Sequence, residues 1–121
     1  MRATLGEVLT EEAFDRMVPL AERWTAGVQG VIDAHGLGWS VTRLGARAEY
    51  WFVAERPRDG RTAAAGVDHA LDAFMHLHAI NRGVLLTPFH NMALMSPATS
   101  EADVDRHTEV FGEAVAELLA D

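Results

Sequence analysis

Between Thr10 and Gly36 the apolar residues Phe14, Met17, Val18, Ala21, Trp24, Val28, Val31 and Ile32 recur at steps of three and four. That spacing sets them on one stripe of a long amphipathic helix, which must be covered by a sheet or by further helices. Thr10 is placed to cap the helix, with Glu11 and Glu12 at the positive end of its dipole. His35 stands at the far end, where a cation suits the last turn, and Gly36 stops the pattern. Pro19 lies inside the stripe and predicts a kink or a short break, because it removes one backbone donor.

The period then changes. Trp39 to Leu44 and Ala48 to Val53 are rich in β-branched and aromatic residues and flank Gly45, which predicts two strands joined by a turn. Glu55 to Gly66 carries a Pro, two Gly and three Arg without a clear period and reads as a loop. Helical spacing returns from about Asp68 to Asn81 and stops at Gly83. Val84 to Thr87 predicts a short strand ahead of Pro88, and Met92 to Met95 a further one. Ser100 and Asp103 form a variant capping box. They open a last helix with Val104, Phe111, Val115, Leu118 and Leu119 on one side. The order describes an α+β fold, a small and mainly antiparallel sheet of about three strands covered by helices. A chain of 121 residues makes this one domain, spanning 1–121.

Composition removes several function classes. A net charge of −8 argues against a nucleic-acid partner, because phosphate backbones are held by clustered Lys and Arg. It also disfavours an anionic membrane surface, and no apolar run approaches the length of a membrane span. The opening residues MRATLGEVLTEEAF have no signal-peptide core. The absence of cysteine leaves no disulfide or thiolate site. The expectation is a soluble, cytoplasmic chain.

Six histidines raise the question of a metal. His69, Asp72 and His76 share one helical face, but one straight helix rarely gives three ligands to one ion. Leu71, Phe74, Met75 and His78 fall on the opposite side, so the trio reads as a solvated face and no metal is expected. His78 reads as a hydrogen-bonded core or cleft residue, and nothing is assigned to His107. Ser40, Ser96 and Ser100 lack a nucleophile-elbow context, and GLG before Trp39 is a turn and not a phosphate loop. Two places stand out. Arg47 and Glu49 alternate onto the face of Trp51, opposite Tyr50 and Phe52. They suit either a surface ion pair or an edge strand lining a cleft. The turn TPFHNM, from Thr87 to Met92, presents His90 and Asn91 from a rigid frame.

The run NRGVLLTPFHNMALMSPATSEADVDRHTEVFGEAV, residues 81–115, resembles the carboxy-terminal signature of class III pyridoxal-phosphate aminotransferases. It is most similar to the glutamate-semialdehyde aminomutase subgroup. The matching elements are Gly83-Val84, Pro88, Ser96, Thr99-Ser100 and Asp103-Val104-Asp105. ATLGEVLTEEAFDRM resembles the helix that leads into the family's small domain, and VTRLG resembles the strand that follows. The resemblance covers nearly the whole chain.

It implies the carboxy-terminal small domain of an aminotransferase or aminomutase, closing the active-site cleft and orienting an amino-acid or keto-acid substrate. Pyridoxal phosphate would belong to the full-length parent, and no cofactor is expected on this chain alone. The implied partners are a large domain, on the same or a separate chain, and, as a further option, a second copy in a homodimer. In such enzymes the cofactor is held as a Schiff base on a lysine of the large domain. This chain has no lysine: its ten basic residues are all arginines, and a guanidinium stays protonated and is a poor nucleophile. The isolated chain is therefore expected to be inactive.

Many relatives carry a carboxylate-binding arginine near the position of Met92, where Met92, Ala93, Leu94 and Met95 offer none. Aminomutase-like members often place an acid near the position of Asn91, an amide here. The substrate-binding candidates are Arg47, as a replacement carboxylate anchor, with Glu49, His90 and Asn91. The alternatives are a free-standing ligand- or protein-binding module derived from that domain, and a metal enzyme on the histidine trio.

Overall fold

The computed structural model describes residues 1–87 and 90–120. A single wide helical turn, Thr4–Val8, precedes α1, which runs unbroken from Glu11 to Ala34. Thr10 caps α1, its hydroxyl accepting from the Ala13 N–H at 3.3 Å. Pro19 neither breaks nor ends the helix. Met17, Ala21, Trp24, Val28 and Ile32 are buried along its inner stripe, whereas Phe14, near the free end, stays exposed.

After α1 come β1 (Ser40–Leu44) and β2 (Arg47–Trp51), joined by a two-residue turn with Gly45 at φ 57°. That left-handed backbone suits glycine, which has no Cβ to clash. Next are α2 (Gly60–Ala65), α3 (His69–Asn81), β3 (Met92–Leu94) and α4 (Glu101–Leu118). The three strands form one antiparallel sheet in the order β1-β2-β3.

The α+β expectation holds, with corrections. The stretch from Glu55 to Gly66, read as a loop, contains α2. Asp59 and Thr62 form a capping box there, and the alanines that follow favour helix. Val84 to Thr87 is not a strand. Its described backbone bonds are Val84 N–H to the Ala79 carbonyl at 2.9 Å and Thr87 N–H to the Met92 carbonyl at 3.3 Å, which make no ladder. Pro88 lies outside the described residues. In α4 the apolar side shifts: Leu119 is past the helix end and exposed, while His107, Val110 and Ala114 join Val104, Phe111 and Val115 in the interior.

One face of the sheet carries the core. Val41, Ala48, Tyr50 and Ala93 project from it against Trp24, Val28 and Ile32 of α1, Met75 of α3, and Val104, Phe111 and Val115 of α4. Tyr50 packs between the rings of Trp24, Trp39 and Phe111 at centroid distances of 5.0 to 6.4 Å. Burial, then the charge of Asp72, pushes its phenol pKa well up, so the ring serves as a neutral core group. The Ser100–Asp103 capping box holds as read, and the Ser100 hydroxyl and N–H hold the Asp103 carboxyl below its usual range. No helix among the described residues is long and apolar enough to cross a membrane.

Candidate functional site

Antiparallel register places directly paired residues on the same side of a sheet. The face opposite the core therefore carries three rungs: Ser40 with Trp51, Thr42 with Glu49 and Met92, and Leu44 with Arg47 and Leu94. All four named helices share the chain with this sheet, but the long ones, α1, α3 and α4, pack on its core side. Leu44 and Leu94 are 79% and 58% exposed on the outer face.

Glu49 is the unusual residue here. Its side chain is only 6% exposed, while that of Arg47 is 51% exposed. Arg47 Nη2 lies 3.0 Å from Glu49 Oε2, and His90 Nδ1 lies 3.6 Å from Glu49 Oε1. A carboxylate so far out of water needs such partners, since an unpaired buried charge is strongly unfavourable. The neighbouring Trp51 indole donates to Thr42 Oγ1 at 3.0 Å. Thr42, Arg47, Glu49, Trp51 and Pro57 border an open cleft of about 220 Å³.

The same-face placement of Arg47, Glu49 and Trp51 follows the alternation read from the sequence. The edge-strand setting does not: β2 is the central strand, paired on both sides. Nor is this a simple surface ion pair, because its two ends differ in exposure. His90 joins the cluster. Asn91 is buried beside it but turns its amide the other way, donating from Nδ2 to Asp72 Oδ1 at 2.8 Å, while its backbone carbonyl accepts from Tyr50 N–H. Asn91, Asp72, Glu49 and His90 together border a second, small cleft of about 40 Å³.

The histidine trio does not lie on a solvated face throughout. His69 is exposed, but Asp72 and His76 are half-buried, and Asp72 is engaged by Asn91. Among the described residues no group of three His, Asp or Glu side chains is placed to hold a metal ion. His78 is buried, with Nδ1 3.2 Å from Glu117 Oε2, while its Nε2 has no hydrogen-bond partner among the described residues.

Chemically, the outer face offers a guanidinium whose charge is partly balanced by a buried carboxylate. Arg47 uses Nη2 on Glu49, and its fork keeps further N–H donors for a planar anion.

No family model matches the chain. Solved structures do. The fold is that of a part of the aminotransferases: it matches a β-phenylalanine aminotransferase from Variovorax paradoxus with a TM-score of 0.81 and 25% identity, covering 95% of this chain and 26% of that one. Within that class the likeness is greater to a glutamate-1-semialdehyde aminomutase from Pseudomonas aeruginosa PAO1, solved also in complex with PMP. Here the TM-score is 0.94 and the identity 47%, over 98% of this chain and 26% of that one. The chain is thus a partial-length relative of the glutamate-1-semialdehyde aminomutases, spanning about a quarter of their length. A transaminase with PLP bound shares the fold at a TM-score of 0.71 and 22% identity. The residues of this chain do not themselves fit a covalent PLP site, since no lysine amine is present to bind the aldehyde.

Proposed function

We propose that this chain acts as the carboxy-terminal small domain of a class III, PLP-dependent aminotransferase or aminomutase. It closes one side of the active-site cleft against a large cofactor-binding domain, on the same or a separate chain. The observation that carries this reading is the 47% identity over 98% of the chain to a quarter of an aminomutase. The outer sheet face, with its two exposed leucines around a charged cluster, supports it as the surface that meets the large domain.

PLP, when bound in the parent, supplies the electron sink. The task of this chain is to orient substrate and exclude water. Arg47 takes the carboxylate of an amino-acid or keto-acid substrate. Glu49 holds the guanidinium in place from the same strand, and His90 flanks the pair. Asn91 positions the turn by tying it to Asp72 on α3.

Grafting this chain in place of the matching quarter of the Pseudomonas enzyme tests the reading. The graft should hold PLP and show a cofactor absorbance change on adding an amino-acid substrate, while the isolated chain shows neither. Arg47→Ala in the graft should raise KM for that substrate at least tenfold, with a smaller effect on kcat. A graft that binds PLP but never responds to substrate would sink the reading. An unchanged KM would remove Arg47 from it.

A further inference from the structure

Glu49 faces a different basic side chain on each carboxyl oxygen. Oε2 lies 3.0 Å from Arg47 Nη2, and Oε1 lies 3.6 Å from His90 Nδ1. The two partners differ in chemistry, because a guanidinium stays charged whereas an imidazole gains and loses its charge around neutral pH. His90 is placed by its turn. Its N–H donates to the Thr87 carbonyl at 3.2 Å, and the carbonyl of Asn91 accepts from Tyr50 N–H on the central strand at 3.1 Å. The imidazole is 59% exposed and trades protons with solvent directly, while the Glu49 carboxylate behind it is 6% exposed. Other charge near His90 is sparse. On α3, Asp72 borders the same small cleft, its Oδ1 taken by Asn91 Nδ2, and the remaining lining carries no charge.

The charges of Arg47 and Glu49 cancel when the imidazole is neutral. When it is protonated the cluster carries one net positive charge, and Glu49 is shared between two cations instead of serving one. We propose that His90 is a proton-operated control on the Arg47 carboxylate site. A proton taken from solvent leaves the guanidinium with unbalanced charge and strengthens its hold on the carboxylate of an amino-acid or keto-acid substrate. This rests on the role given to Arg47 above. The sign is fixed: carboxylate binding tightens as pH falls, and by linkage a bound carboxylate favours the protonated imidazole. Arg47 and His90 are each about half exposed, so solvent screening holds the effect to about two- to fivefold.

The test titrates the whole chain with propionate at fixed ionic strength, from about pH 6 to about pH 9, where the probe stays ionised. The carbon-13 resonance of the Arg47 guanidinium, assigned by its loss in Arg47→Ala, reports binding. Affinity should be about two- to fivefold higher at the acid end. His90→Gln, neutral throughout, should show the weaker affinity at every pH, and His90→Lys, charged throughout, the tighter one. A native chain whose affinity ignores pH, or a His90→Gln chain that keeps the trend, would overturn the control by His90 and leave the role of Arg47 standing. So would a His90→Lys chain that binds as weakly as His90→Gln. The absence of any saturable shift at Arg47 would overturn this proposal and the carboxylate role of Arg47 together.

Discussion

His107 sits among Trp24, Phe111 and the rest of the core, and burial lowers its pKa to about 4 from an ordinary value near 6.5. Between those two values the unfolded chain takes up a proton that the folded chain refuses. Stability therefore falls as pH drops through that window and levels off below it. A shift of this size corresponds to about 3 kcal/mol at about 1.4 kcal/mol per pH unit. Denaturant midpoints at pH 7 and pH 4 should differ clearly for the native chain and by much less for His107→Phe. Equal slopes in both would mean that His107 is not the group responsible. The histidine was open to recognition in the sequence, since it falls three residues after Val104 and four before Phe111 on the same helical face. Nothing is assigned to it from sequence, because a titratable ring does not by itself mark an apolar stripe. Glu49 is the reverse case. Alternation places it beside Arg47 and Trp51, but His90, whose Nδ1 lies 3.6 Å from its carboxyl, comes from far along the chain, which no local pattern reports.

At the scale of elements, α1 and α4 approach closely where Gly27 faces Thr108. A Cβ on Gly27 would run into the Thr108 hydroxyl and methyl, and that hydroxyl is bonded to the Val104 carbonyl at 3.2 Å. Gly30, one turn on, faces open space. Gly27→Ala should therefore destabilise by about 1–3 kcal/mol, the usual range for overpacking, despite its better helix propensity. Gly30→Ala should stabilise by up to about 1 kcal/mol from propensity alone. Thermal unfolding of the two variants checks the pair, and the same sign for both would contradict the close approach. Helices α1, α3 and α4 were legible from periodicity and caps because their signals repeat over several turns. The short elements were not. One capping box outweighed Pro57 and the flanking glycines to make α2, while Val84–Thr87 has strand-like residues but lacks the partners that make a strand.

For the whole molecule, the sheet has one covered face and one open face. Its core face is filled, and its outer face sets Leu44 and Leu94 on either side of Arg47, with Glu49 held in the next rung. The chain spans about a quarter of its aminomutase relative, and the proposed function assigns that face to a second domain. The absence of cysteine gives a direct way to test this, because Leu44→Cys or Leu94→Cys introduces the chain's only thiol. Thiol labelling at each position, read by mass spectrometry, is to be compared between the isolated chain and the Pseudomonas graft. Both sites should label quickly in the isolated chain and at least tenfold more slowly in the graft, more slowly still with substrate bound. Equal rates in the two settings would show that the large domain never closes on this face, and the cleft-closing account would be wrong.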